Sequence, residues 1–105
     1  MEDKRTISWI FLATALASQL KPADFNGISM VADGINHAVP NHKELQTSIS
    51  WLESKGLMAK QGKKYVLTPK GKLEYEKATD KSGIVMEIWE KLENIFKTRQ
   101  YYCSK

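Results

Sequence analysis

The chain has 105 residues, 42% of them hydrophobic and 27% charged, with a net charge of +4 and one cysteine, Cys103. That length buries one core and leaves no room for a second, catalytic domain. A single cysteine excludes an intramolecular disulfide and a cysteine zinc site built from one chain, so a reducing, cytoplasmic compartment is the simplest expectation.

Lys4-Arg5 followed by the apolar run Ile7 to Ala17 has the outline of a signal peptide. Glu2 and Asp3 dilute its positive start, and the run is too short for a membrane span, which needs about 20 apolar residues. It reads better as an amphipathic first helix whose Trp9, Ile10, Leu12, Ala13 and Leu16 pack on two helices behind it. No membrane partner is expected. Pro22 and Asp24 mark a break, Asn26-Gly27 can cap, and Ile28, Val31, Ala32 and Ile35 repeat at helical spacing through Asn36. Gly34 inside this second helix costs about 1 kcal/mol relative to Ala, so a packing reason or an early end is expected.

Pro40 stops that segment, and Asn41 with Glu44 three residues on forms a capping box that starts a helix near His42. Leu45, Ser48, Ile49 and Leu52 give it a buried face, Gly56 closes it, and His42, Lys43, Gln46, Thr47, Ser50 and Glu53 face out. A small hairpin follows, with Leu57 and Ala59 opposite Met58 and Lys60, a turn at Gln61-Gly62-Lys63, and Tyr65 and Leu67 opposite Lys64 and Val66. Thr68-Pro69 then restarts a helix, Thr as N-cap and Pro where its missing N–H costs nothing.

The pattern LxxxIxxLExKGLxxxxxxxYxLTxKG is carried by Leu45, Ile49, Leu52, Glu53, Lys55, Gly56, Leu57, Tyr65, Leu67, Thr68, Lys70 and Gly71. It resembles the winged helix-turn-helix of bacterial and archaeal transcription regulators, the broad MarR-like and PadR-like group, over roughly the first three quarters of the chain. The resemblance implies a mainly α fold with a small β-hairpin wing (α+β), residues 1–80 forming the DNA-binding domain. It also implies that the second helix packs across the recognition helix and can offer its first amides to a phosphate.

Charge points the same way independently. The balances of residues 1–40, 41–72 and 73–105 are −1, +5 and 0, so the positive excess lies in the capped helix, the hairpin and the next helix start. Lys60, Lys63, Lys64, Lys70 and Lys72 are the expected phosphate contacts, and no acid interrupts them. The bland reading is that these lysines only keep an exposed strand edge soluble. Base contacts are expected from His42, Lys43, Gln46, Thr47 and Ser50; Gln46 suits adenine and Lys43 guanine. Arg5 and Arg99 are the only arginines and both lie outside this segment, so discrimination per subunit is expected to be modest.

From Ser82 to about Tyr101, Ile84, Val85, Ile88, Trp89, Leu92, Ile95 and Phe96 make one apolar stripe opposite Glu87, Glu90, Lys91, Glu93, Asn94 and Lys97. The polar run Lys77 to Lys81 connects this helix to the rest. Regulators of the resembled type commonly pair through a terminal helix. Residues 81–105 are therefore a dimerisation candidate through Val85, Ile88, Trp89, Leu92, Ile95 and Phe96, intrachain packing being the alternative.

His37 and His42, five apart across a proline, make a poor metal pair. The glycines and lysines of the hairpin miss the spacing of a phosphate loop. No enzymatic activity, metal or cofactor is expected, although a pocket between the first and last helices could admit a small effector. The partner expected is double-stranded DNA. The main rival is a winged-helix protein–protein interaction module without DNA binding, which would expose apolar residues on its third helix or wing where this chain exposes polar ones. RNA binding lacks an exposed aromatic platform.

Overall fold

Every residue from Ile7 to Ala15 is buried, and the helix carrying them is the hub on which the other elements pack. The structure is a computed structural model that describes residues 4–19, 21–80 and 83–97. In chain order the elements are α1 (Lys4–Ala17), α2 (Phe25–Asn36), α3 (His42–Ser54), β1 (Met58–Gln61), β2 (Lys64–Leu67), α4 (Pro69–Thr79) and α5 (Val85–Phe96). The protein is thus mainly helical with one two-stranded antiparallel hairpin.

α1 is not the one-sided helix its sequence suggests. It is buried all round because α2 and α3 cover part of its surface and α5 covers more. Ser8 and Thr14 are tolerated in this core because their hydroxyls donate to the carbonyls of Arg5 (3.0 Å) and Ile10 (2.8 Å) within the helix itself. α2 and α3 dock on α1 more than on each other. They meet where the Phe25 ring lies 5.6 Å from the His42 ring, so α2 does not lie broadly across α3.

α5 packs most of its stripe within the chain, the intrachain alternative. Trp89 stacks on Trp9 (6.1 Å) and donates its indole N–H to the Arg5 carbonyl (2.9 Å), and Phe96 meets Phe11 edge-on (5.2 Å). Ile88, Trp89, Leu92 and Phe96, expected at a dimer interface, are buried inside the chain, while Val85 is exposed and Ile95 half-buried. A helix buried from Ile7 to Ala15 needs cover on every side, and the chain supplies part of it from its own last helix. Segment 81–105 is therefore no separate unit where it is described: α5 shares one core with α1. α5 begins at Val85 rather than Ser82, and its expected continuation to Tyr101, with Arg99 and Cys103, lies outside the described residues. Lys77, Ala78 and Thr79, read as connection, belong to α4, with Ala78 buried.

α2 starts earlier than Asn26-Gly27 suggested, its N-cap lying two residues before Asn26. The Asp24 carboxylate is the N-cap and accepts the Gly27 N–H at 2.8 Å. Gly34 has nothing within 4 Å of where a Cβ would stand, so no packing reason for it exists, and the helix runs on to Asn36. Among the described residues no helix is long and apolar enough to cross a membrane.

Candidate nucleic-acid interface

The capping box read in the sequence is formed. Asn41 Oδ1 accepts the Glu44 N–H at 2.7 Å and Glu44 Oε1 accepts the Asn41 N–H at 2.9 Å, which fixes where α3 starts and therefore which residues face out. Leu45, Ser48, Ile49, Trp51 and Leu52 are buried, and His42, Lys43, Gln46, Thr47 and Ser50 are all exposed.

At the other end, Gly56 takes a left-handed φ of 74° and turns the chain into the hairpin. The Thr68 hydroxyl donates to the Gly56 carbonyl at 2.5 Å and accepts the Gly71 N–H at 3.0 Å, tying the end of α3 to the start of α4. Lys70 Nζ adds a bond to the Lys55 carbonyl at 3.3 Å. Lys55-Gly56-Leu57 and Thr68-Pro69-Lys70-Gly71, the two ends of the sequence pattern, are one physical junction.

Register sets the hairpin faces. Lys60 pairs with Tyr65 and Met58 with Leu67, so these four share a face, with Met58, Tyr65 and Leu67 turned into the core and Lys60 exposed beyond them. The expected alternation placed Met58 on the outer face. Leu57 instead precedes the strand and both it and Met58 are buried, because the backbone is still leaving the α3 junction at that point. Gln61 pairs with Lys64, so the turn is only Gly62-Lys63, with Gly62 at φ 66°. Tyr65 is fixed further by two backbone bonds with Ala23, at 3.0 and 2.7 Å, and its ring stacks on Phe25 at 5.6 Å.

Two open grooves meet at this stacked pair. One, of about 680 Å³, runs over the polar face of α3 and is lined by Gln46, Thr47, Ser50 and Glu53 between Phe25–Tyr65 on one flank and Trp51 on the other. The second, of about 530 Å³, is lined by Asp24, Asn26, Gln46, Lys60 and Lys63 with the same two rings. Gln46 belongs to both, so the expected base-contacting face and two of the expected phosphate lysines form one continuous surface.

The remaining predicted residues are spread around it. His42 sits edge-on to Phe25, and Lys43 is exposed in the first turn of α3. Lys64, opposite Gln61, is on the other hairpin face from Lys60. Lys70 is occupied at the α3–α4 junction and Lys72 is exposed on α4, so neither lines the grooves. Among the described residues Lys43, Lys60, Lys63, Lys64 and Lys72 form no ion pair, whereas the acid Glu93 is bridged by both Arg5 and Lys97. All five are exposed to solvent.

Sequence reading missed the Phe25–Tyr65 wall, for which the apolar spacing of α2 gave no signal, and the Asp24 carboxylate beside it. Asp24 accepts the Gly27 N–H and brings a carboxylate to the start of α2, so that amide is already occupied. The three tryptophans are core residues, and the space between α1 and α5 is filled by the Trp9–Trp89 and Phe11–Phe96 pairs. An open groove lined by Arg5, Thr6, Trp9, Asn36, Val39 and Trp89 remains beside it. Comparison with protein-family models, characterised proteins and solved structures finds no match to this chain.

Proposed function

We propose that this chain is a small DNA-binding regulator of the winged helix-turn-helix kind, α2 and α3 forming the helix-turn-helix and β1–β2 the wing. The observation that carries this reading is the shared surface at Gln46, where the exposed polar face of α3 meets the unpaired Lys60 and Lys63. A helix laid in the major groove presents Gln46, Thr47 and Ser50 to base edges while the hairpin lysines meet phosphates. Glu53, on the same face, suits the amino group of cytosine. The absence of arginine from this face keeps base discrimination modest.

A second copy, if it joins to read a two-fold site, can use the exposed Ile84, Val85 and Met86 at the start of α5 but not the stripe behind them, which is core. The same exposed edge favours the second reading, a protein-interaction module. It is the less favoured one because α3 and the hairpin, where such modules expose apolar residues, carry polar and cationic groups.

The test is anisotropy of a labelled duplex titrated at low and moderate salt. Affinity that falls steeply with salt supports the reading, and a folded protein that binds no duplex at low salt refutes it.

A further inference from the structure

The groove over α3 has two flanks, and the sequence drew attention to only one. Phe25 and Tyr65 form the flank that carries Lys60 and Lys63. Trp51 forms the other, and two ammonium groups lie over its ring: Lys4 Nζ at 5.1 Å from the centroid and Lys55 Nζ at 5.5 Å. Lys4 comes from the start of α1 and Lys55 from the C-cap of α3, so the fold brings together charges that the chain separates. Neither forms an ion pair among the described residues.

We propose that Lys4 and Lys55, seated on Trp51, form a second phosphate clamp on the flank of α3 opposite the hairpin. The proposal rests on the DNA-binding reading and deepens it. A helix in the major groove, about 12 Å wide, has a sugar–phosphate strand on each side. Lys60 and Lys63 answer one strand, and without Lys4 and Lys55 the other would face only the Trp51 flank. Contact with the ring leaves the positive charge intact and restricts the long side chains beforehand, so less freedom is lost when a phosphate is met. The C-terminal end of a helix carries partial negative charge, which favours holding cations there.

The experiment compares wild type, Lys4→Gln with Lys55→Gln, and Lys60→Gln with Lys63→Gln, each titrated with one labelled duplex over a salt series. The clamp predicts that the Lys4/Lys55 double variant loses about 1.8 from the slope of log affinity against log salt, as large a loss as the hairpin pair gives. Arginine at both positions should restore the slope, which a merely structural defect would not allow. An unchanged slope in the Lys4/Lys55 variant, with the hairpin pair still lowering it, overturns the clamp and leaves the DNA reading standing. Wild type showing no salt-dependent duplex binding overturns both.

Discussion

Gly71 presses its backbone against Leu57 so closely that a Cβ on it would stand 2.1 Å from the Leu57 carbonyl oxygen. The oxygen cannot move away, because it accepts the Thr68 N–H at 3.1 Å and so holds the base of the hairpin. Gly71→Ala should therefore cost at least about 2 kcal/mol and lower the melting temperature by roughly 10 °C, read by circular dichroism.

Gly34 makes the opposite case. It lies inside α2 with open space around a would-be Cβ. Gly34→Ala should stabilise the protein by up to about 1 kcal/mol in denaturant unfolding, through helix propensity alone.

Leu92 separates the core role of α5 from a dimer role. Fully buried in the chain's own core, Leu92→Ala should cost about 2–5 kcal/mol. Its unfolding midpoint should not depend on protein concentration, whereas loss of a contact between copies would make the cost concentration-dependent.

Glu93 fastens α5 to α1 electrostatically. Burial alone would push its carboxyl up, but hydrogen bonds from Lys97 and Arg5 and their positive charges prevail and hold it below the usual carboxylate range. A carboxylate lowered in the folded state stabilises above its unfolded pKa, and that contribution fades as pH falls through the folded value. Arg5 is half exposed, so screening limits the effect to about 1 kcal/mol at most. Unfolding free energies of wild type and Glu93→Gln should differ at pH 7 and converge toward pH 3.

Two sets of substitutions should separate reading from holding. Gln46→Ala should erode preference between duplex sequences, by about 1–3 kcal/mol at the affected base pair. Alanine at Lys60, Lys63 and Lys64 should weaken binding to all sequences about equally and flatten the salt dependence.

The legible parts of this chain were those decided within a few residues. Asn41 with Glu44, Gly56, and Thr68-Pro69 mark helix ends by local hydrogen bonding and backbone geometry, and all behave as read. The exposed face of α3 followed from that fixed start. What was hidden depends on distant partners. That α1 is buried all round, and that Trp89 and Phe96 are core, follows only from α5 returning to α1 across most of the chain. Lys4 over Trp51 is of the same kind. The misread face of Met58 arose at a strand end, where a one-residue shift reverses which side is in.

Whether the polar face of α3 and the hairpin lysines bind DNA as one surface is tested residue by residue by backbone amide NMR of the full chain titrated with an unlabelled duplex at low salt. The account predicts the largest shifts at His42 to Ser50 and at Lys60 to Lys64, with α5 unmoved. Shifts centred on Leu73 and Ile84 to Met86, or none at all from a folded sample, would contradict it.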